Sequence, residues 1–176
     1  MKPTLLFLAA LGLAAGASPA PAAVPPDAPR AVVIFVHPEK FTDIKDRNFP
    51  TPGGETAILN DLRDFLVHEA KYRVPAGDKL TLTFTDIDLT GDFEPWRGPR
   101  FEDIRIIKDI YPPDFKFSYV LTDASGHVVK QGTEDLRDLA FEMQATIDTI
   151  DSLHYDKGVL SDWMRSCLRG VRTAGG

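Results

Sequence analysis

The chain has 176 residues, with 20 Lys plus Arg against 26 Asp plus Glu, a net charge of −6 and a single cysteine. That length suits one hydrophobic core rather than two. The acidic balance, with no basic run carrying interleaved aromatics, argues against nucleic acid as a partner, and one cysteine excludes an intramolecular disulfide.

The amino terminus reads MKPTLLFLAALGLAAGASPAPAA. One Lys, an apolar run from Leu5 to Ala15 and small residues at Ala15 and Ala17 predict a secretory signal peptide over residues 1–17, cut after Ala17. The run is short and Ala-rich for a bilayer span, which ranks a retained anchor second and predicts no stable membrane insertion after cleavage. The mature chain is therefore expected in the periplasm. Residues 18–30, SPAPAAVPPDAPR, are proline-rich and aperiodic, and read as a flexible tether or a frayed amino terminus.

Residues 31–169 are expected to form the single domain. Ala31 to Val36 is a short, almost wholly apolar run, as in a strand covered on both faces. Pro38 ends it, and His37 there is either a site-facing or a plain edge residue. Phe41 to Gly54 is a loop whose Phe41, Ile44 and Phe49 tuck back on the domain. From Glu55 to Tyr72, Ile58, Leu59, Leu62, Phe65, Leu66 and Ala70 recur at helical spacing, before Pro75 and Gly77 stop the helix. The connection is long enough for a crossover, so the first strand and the next can be parallel neighbours or lie one strand apart.

Leu80 to Trp96, LTLTFTDIDLTGDFEPW, is the most informative stretch. Leu80, Leu82 and Phe84 alternate with threonines, but the following apolar residues are Ile87 and Leu89, so the buried parity changes. Either a bulge near Thr85 or Asp86 resets the facing, or the strand end turns its carboxylates over the core edge. Gly91 to Phe101 is a loop or broken edge, and Ile104 to Ile107 a short third strand. Phe115 to Leu121 alternates, and Asp123 to Gly126 turns it into a hairpin with HVVKQGTED. Asp135 and Asp138 read as the start of a helix along Leu136, Ala140, Met143, Ile147 and Ile150. A closing helix from Gly158 to Leu168, with Asp156 as its cap, presents Leu160, Trp163, Met164, Cys167 and Leu168. Residues 170–176 are expected to be a disordered tail. The fold class is then α+β: β-α-β, mostly antiparallel strands, then two helices, on a mixed sheet of four to five strands.

Candidate chemistry concentrates in residues 86–94. Asp86, Asp88 and Asp92 resemble part of a calcium loop but lack the full ligand set, so the reading beside it is turn capping by Asp88 and Asp92 and a solvated Asp86. A buried Asp86 needs a donor, for which Arg97, Arg100 and Lys108 are nearest in sequence. Acid–base work by two of these carboxylates requires two different environments, which the sequence does not distinguish. There is no GxSxG, HExxH or CxxC, no glycine-rich phosphate loop, and no metal-ligand spacing among His37, His68, His127 and His154. Cys167 reads as a buried structural thiol. No catalytic residue and no cofactor is expected. Phe93, Trp96, Arg97, Arg100, Phe101 and Tyr111, stiffened by prolines, form either a plug on the core or an exposed partner surface.

Four blocks, FVHPEKFTDIKD, TDIDLTGDFEPW, RIIKDIYPPDFKFSYVLTDASG and LRDLAFEM followed by LHYDKGVLSDWM, resemble in order and spacing the bacterial domain-of-unknown-function family numbered 3016. The resemblance spans Val32 to Trp163 and implies a small exported protein of Gram-negative bacteria, with no functional residues to carry over. His154 departs from it, since an arginine after a proline is more usual there. The expected role is a non-catalytic domain contacting another component of the cell envelope. The alternatives are a small hydrolase or hard-cation-dependent enzyme using residues 86–94, and a purely structural or stress-related periplasmic factor.

Overall fold

The computed structural model describes residues 29–143 and 150–170. The expected signal peptide, residues 18–28 of the proline-rich segment, positions 144–149 and the tail from residue 171 lie outside them.

Strand β1 (Ala31–Phe35) runs parallel to β2 (Lys79–Asp88), joined by helix α1 (Pro52–Arg73). Strand β5 (Asp114–Thr122) pairs antiparallel with β2, and β6 (Val128–Arg137) pairs antiparallel with β5, giving the order β1-β2-β5-β6. Between β2 and β5, β3 (Asp92–Phe93) and β4 (Arg105–Ile106) form a separate two-stranded sheet. Helix α2 (His154–Cys167) closes the described chain. This is the α+β class with a mixed four-stranded main sheet, and the first two strands are direct parallel neighbours.

One face of the sheet supplies the core. Val33, Leu82, Phe84, Phe115, Phe117, Tyr119 and Leu121 are buried, while Thr81, Thr83, Ser118 and Val120 on the opposite phase are only half-buried. Alternation of this kind follows from one covered and one wetter face. Against the buried face lie Leu59, Leu62, Leu66 and Ala70 of α1 and Val159, Leu160, Trp163 and Met164 of α2. Phe84 stacks on Phe117 at 4.9 Å, and Trp163 meets Phe117 edge-on at 4.7 Å. Each large side chain taken fully from water contributes about 1.5–3 kcal/mol.

The parity change in β2 is a bulge. The register runs Phe84 to Phe117 and then Asp86 to Lys116, leaving Thr85 as the extra residue, its hydroxyl donating to Lys116 O at 3.2 Å. Ile87 thereby enters the core while Asp86 leaves it.

Four expectations are corrected. The third strand is only Arg105–Ile106 and joins β3 rather than the main sheet. The helix expected from Asp135 does not begin there: Asp135 and Leu136 pair with Lys116 and Phe115, so β6 continues to Arg137. Of its expected stripe, Met143 and Ile150 are exposed, and the buried residue is Phe141, in a single 3-10 turn. Helix α2 starts at His154, four residues before Gly158, placing Asp156 inside the first turn instead of at the cap. Helix α1 likewise starts at Pro52, because Pro suits a first helical position and the Thr51 hydroxyl caps Gly54 N at 3.0 Å.

Candidate functional site

Past the end of β1, the chain makes a 3-10 turn at Pro38–Lys40 and returns beside β2. Asp43 N donates to Ile87 O and Leu89 N to Asp43 O, an isolated parallel bridge that sets Asp43 next to Asp88. Register places Asp114 opposite Asp88 on the other side. A cleft of about 230 Å³ opens here, lined by Thr42, Asp43, Lys45, Asp88, Asp92 and Tyr111 among others.

The carboxylates around it have different surroundings. Asp86 accepts from Thr42 N at 2.8 Å, Thr42 Oγ1 at 3.0 Å and Lys116 Nζ at 3.0 Å. Burial opposes its ionisation, but these bonds outweigh it and hold the carboxyl below its ordinary value. Asp88 has no such donors. Loss of hydration, then repulsion from Asp43, Asp114, Asp86 and Asp92, pushes it up to about 6. Burial also raises Asp114, against the pull of Lys116, and its Oδ1 is buried without a partner. Asp92 accepts from Phe93 N at 2.7 Å.

Arg105 ties the cleft wall together. It donates to Asp43 Oδ2 at 2.9 Å and Oδ1 at 3.2 Å, to Gly91 O at 2.8 Å and to Lys45 O at 2.8 Å. Its guanidinium also lies over the Phe93 ring, 4.7 Å from the centroid. Beneath, Asp156 of α2 is fully buried and accepts from Thr90 N at 2.9 Å and Thr90 Oγ1 at 3.1 Å, with burial raising it to about 6.

Beyond the cleft, β3 leads into an aromatic arm. Glu94 is buried, its Oε1 bonded by Lys108 and by Tyr111 OH at 3.0 Å, and Arg97 Nε lies 2.6 Å from its Oε2 as an ion pair. Lys108 is the main reason its carboxyl sits below the ordinary range. On the braced 3-10 turn Pro95–Arg97, Trp96 is 71% exposed.

The sequence-predicted residues therefore separate. Asp86, Asp88 and Asp92 lie close in sequence at the end of β2 and the start of β3, but Asp86 turns to Thr42 and Lys116 and Asp92 accepts from the amide of the next residue. Among the described residues no three carboxylate, imidazole or thiol groups come together as a cation-holding set. Asp86's donors are not Arg97, Arg100 or Lys108, since two of those serve Glu94. Of the aromatic group, Trp96, Arg97, Arg100 and Phe101 are exposed, Tyr111 is half-buried, and Phe93 is buried under Arg105. Trp96 is thus no core plug. His37 is exposed and pairs with Glu39, an edge residue. Sequence reasoning missed Asp43 and Arg105, and placed Glu94 only within the acidic residues 86–94 and Asp156 only as a helix cap, not as the carboxylates that Lys108 and Thr90 engage. A charged residue inside the apolar run IRII, between Ile104 and Ile106, was the signal for Arg105.

Fold and site together define a small α+β domain with an acidic cleft at the end of its parallel strand pair and an aromatic arm beside it. The family described as Protein of unknown function (DUF3016) matches residues 30–166, and the chain belongs to that family. Comparison with curated proteins and with solved structures gave no significant match. Among the described residues no helix is long and apolar enough to cross a membrane.

Proposed function

We propose that this chain is an exported, non-catalytic periplasmic domain that contacts another cell-envelope protein through the arm carrying Trp96, Arg97, Arg100 and Phe101. The observation that carries the reading is Trp96, held in solvent on a turn whose base is the buried, ion-paired Glu94. An indole fixed before binding loses little conformational freedom on docking, which is the economy that interface anchors exploit. The leader-like amino terminus supports export.

A photo-crosslinking residue at Arg100, in the full chain expressed in its own host, tests this. The expected result is one discrete adduct, lost with Trp96→Ala and kept when Tyr72, exposed on α1, is changed instead. No adduct, or one indifferent to Trp96, removes the reading and leaves the structural or stress-related role.

A second reading, a small hydrolase or hard-cation-dependent enzyme, is favoured by Asp88 alone, a carboxyl near 6 in a cleft with ion-paired neighbours. Hydrolysis of an aryl glycoside and ester panel, with and without magnesium or calcium, checks it. Turnover must exceed that of Asp88→Asn for the reading to stand.

A further inference from the structure

A groove apart from the acidic cleft runs between the free edge of β1 and helix α1. It encloses about 390 Å³. Val33, Ile34 and Phe35 of β1 and Leu59, Asn60 and Arg63 of α1 are among the residues that line it. The backbone of β1 faces this side in a fixed phase. Arg30 O accepts from Leu80 N at 2.8 Å and Val36 N donates to Phe84 O at 3.0 Å, while Ala31, Val33 and Phe35 stand level with Leu80, Leu82 and Phe84. In a parallel ladder of that phase the even-numbered residues of β1 bond to β2, so the N–H and C=O groups of Val33 and Phe35 point away from β2, off the edge of the sheet.

Among the described residues no further strand pairs with β1, which ends the sheet order. A row of unpaired N–H and C=O groups along an edge is what an added strand takes up. The two edges of the sheet differ in this respect. Strand β6 carries Lys130, Glu134, Asp135 and Arg137, the kind of charge that keeps an edge from pairing, whereas β1, AVVIF, carries none. Charge then identifies the occupant. Arg63 is the charged residue lining the groove; it donates to Asn60 Oδ1 at 2.6 Å and lies over the Phe35 ring, 5.0 Å from its centroid. It makes no ion pair among the described residues. Asp61 is engaged by Lys157 and Glu39 by His37, and Asp64, one position along the helix, does not face the same way as Arg63. A second copy would bring a strand with no carboxylate and a second Arg63 to the same seam, so the charge favours a different protein that brings a carboxylate.

We propose that this groove takes an extended segment of another protein as a strand paired to β1, with an apolar side chain beside Val33 and Leu59 and a carboxylate two residues away at Arg63. The spacing follows from the guanidinium lying over Phe35, two residues along the strand from Val33. Main-chain bonds to Val33 and Phe35 supply affinity, and the guanidinium fork on the carboxylate supplies choice of sequence. None of the arm residues lines the groove, so the site stands or falls separately from the contact through Trp96.

The test titrates the isotope-labelled full chain with two acetylated and amidated heptapeptides, VTVTETT and TTETVTV, which place valine and glutamate two residues apart in either direction. Amide hydrogen exchange is followed residue by residue. At least one peptide is expected to bind saturably and to slow exchange at Val33 and Phe35 by about tenfold or more, with Val32 and Ile34, already bonded to β2, little changed. The same peptide with glutamine in place of glutamate is expected to bind about threefold to tenfold more weakly. Arg63→Gln, accepted only if the rest of the spectrum is unchanged, is expected to erase that difference. N-methylation of the binding peptide on its valine and glutamate amides, or on its threonine amides, is expected to abolish binding in one of the two phases. The proposal is overturned if neither peptide protects Val33 and Phe35, if glutamate and glutamine peptides bind equally, if both N-methylated phases still bind, or if Arg63→Gln keeps the preference for glutamate. Protection of those amides that rises with protein concentration alone also overturns it, since a second copy then occupies the edge.

Discussion

Arg105 joins three pieces of chain that share no sequence neighbourhood: the loop after β1, the turn after β2, and β4 itself. Its partner Asp43 is 6% exposed, and apart from the Lys45 N–H at 2.9 Å that guanidinium is what its carboxylate meets. Breaking such a pair leaves a buried carboxylate without compensation, at a cost of about 3–5 kcal/mol. Arg105→Met, similar in length and uncharged, is expected to destabilise the domain by that amount in urea unfolding. Adding Asp43→Asn to Arg105→Met should recover part of the loss, because no full charge is then left in the wall. A double variant no better than Arg105→Met would show that shape rather than charge holds the wall. In the same neighbourhood Phe93 and Trp96 sit three residues apart and take opposite fates, one under Arg105 and one in solvent. Composition treats them alike; only the position of a guanidinium distinguishes them.

At the scale of elements, what was legible in the sequence was whatever a local period encodes. The parity change after Phe84 reveals the Thr85 bulge because a strand's side chains alternate whatever their neighbours are. The stripe Leu59, Leu62, Leu66 and Ala70 reveals α1 for the same reason. The stretch after Asp135 misled because its apolar residues step at helical spacing, while Leu136 is already taken by its pairing with Phe115. Pairing to a strand distant in sequence overrides local preference there. The site was less legible still, since Asp43 with Arg105 and Thr90 with Asp156 are contacts across 62 and 66 residues. The turn between β2 and β3 shows how tightly these elements meet. Gly91 has φ +82, and a Cβ there would lie 2.8 Å from Ile106 O and 2.6 Å from Ile107 Cδ1. Gly98 has φ +111 with nothing within 4 Å. Gly91→Ala is therefore expected to cost about 2–4 kcal/mol and Gly98→Ala about 1 kcal/mol, read from unfolding midpoints. Equal losses would mean that backbone strain alone matters and that the β3–β4 sheet can move aside.

For the whole molecule, the carboxylates divide into two sets with opposite pH dependence. Asp88 and Asp156 are raised from 3.8 to about 6, and Asp78 and Asp114 are also raised, all chiefly by burial. Asp78 is 2% exposed with neither oxygen bonded. In these groups the folded state holds the proton more tightly than the unfolded chain. Folding therefore takes up protons above their ordinary value, for Asp88 and Asp156 up to about 6, and stability rises as pH falls through that window. Asp86 and Asp151 are held below their ordinary value by lysine and backbone bonds, burial opposing them. Their contribution is present above the ordinary value and lost as pH falls below it. The two sets together place maximal stability near about pH 4, with a decline as pH rises from there to about 6 and another as pH falls further. Melting temperature followed by circular dichroism across that range checks this. Asp88→Asn supplies the decisive comparison. At neutral pH it removes a half-buried charge facing other carboxylates and should stabilise by about 1–2 kcal/mol, a figure reduced from the full shift because water still reaches the cleft. Below about pH 4 the parent's Asp88 is protonated too, so the advantage should vanish. Asp86→Asn should do the reverse, losing stability at neutral pH through Thr42 and Lys116. If both variants change stability in the same direction at neutral pH, the division of the cleft into one repelled and one satisfied carboxylate is wrong.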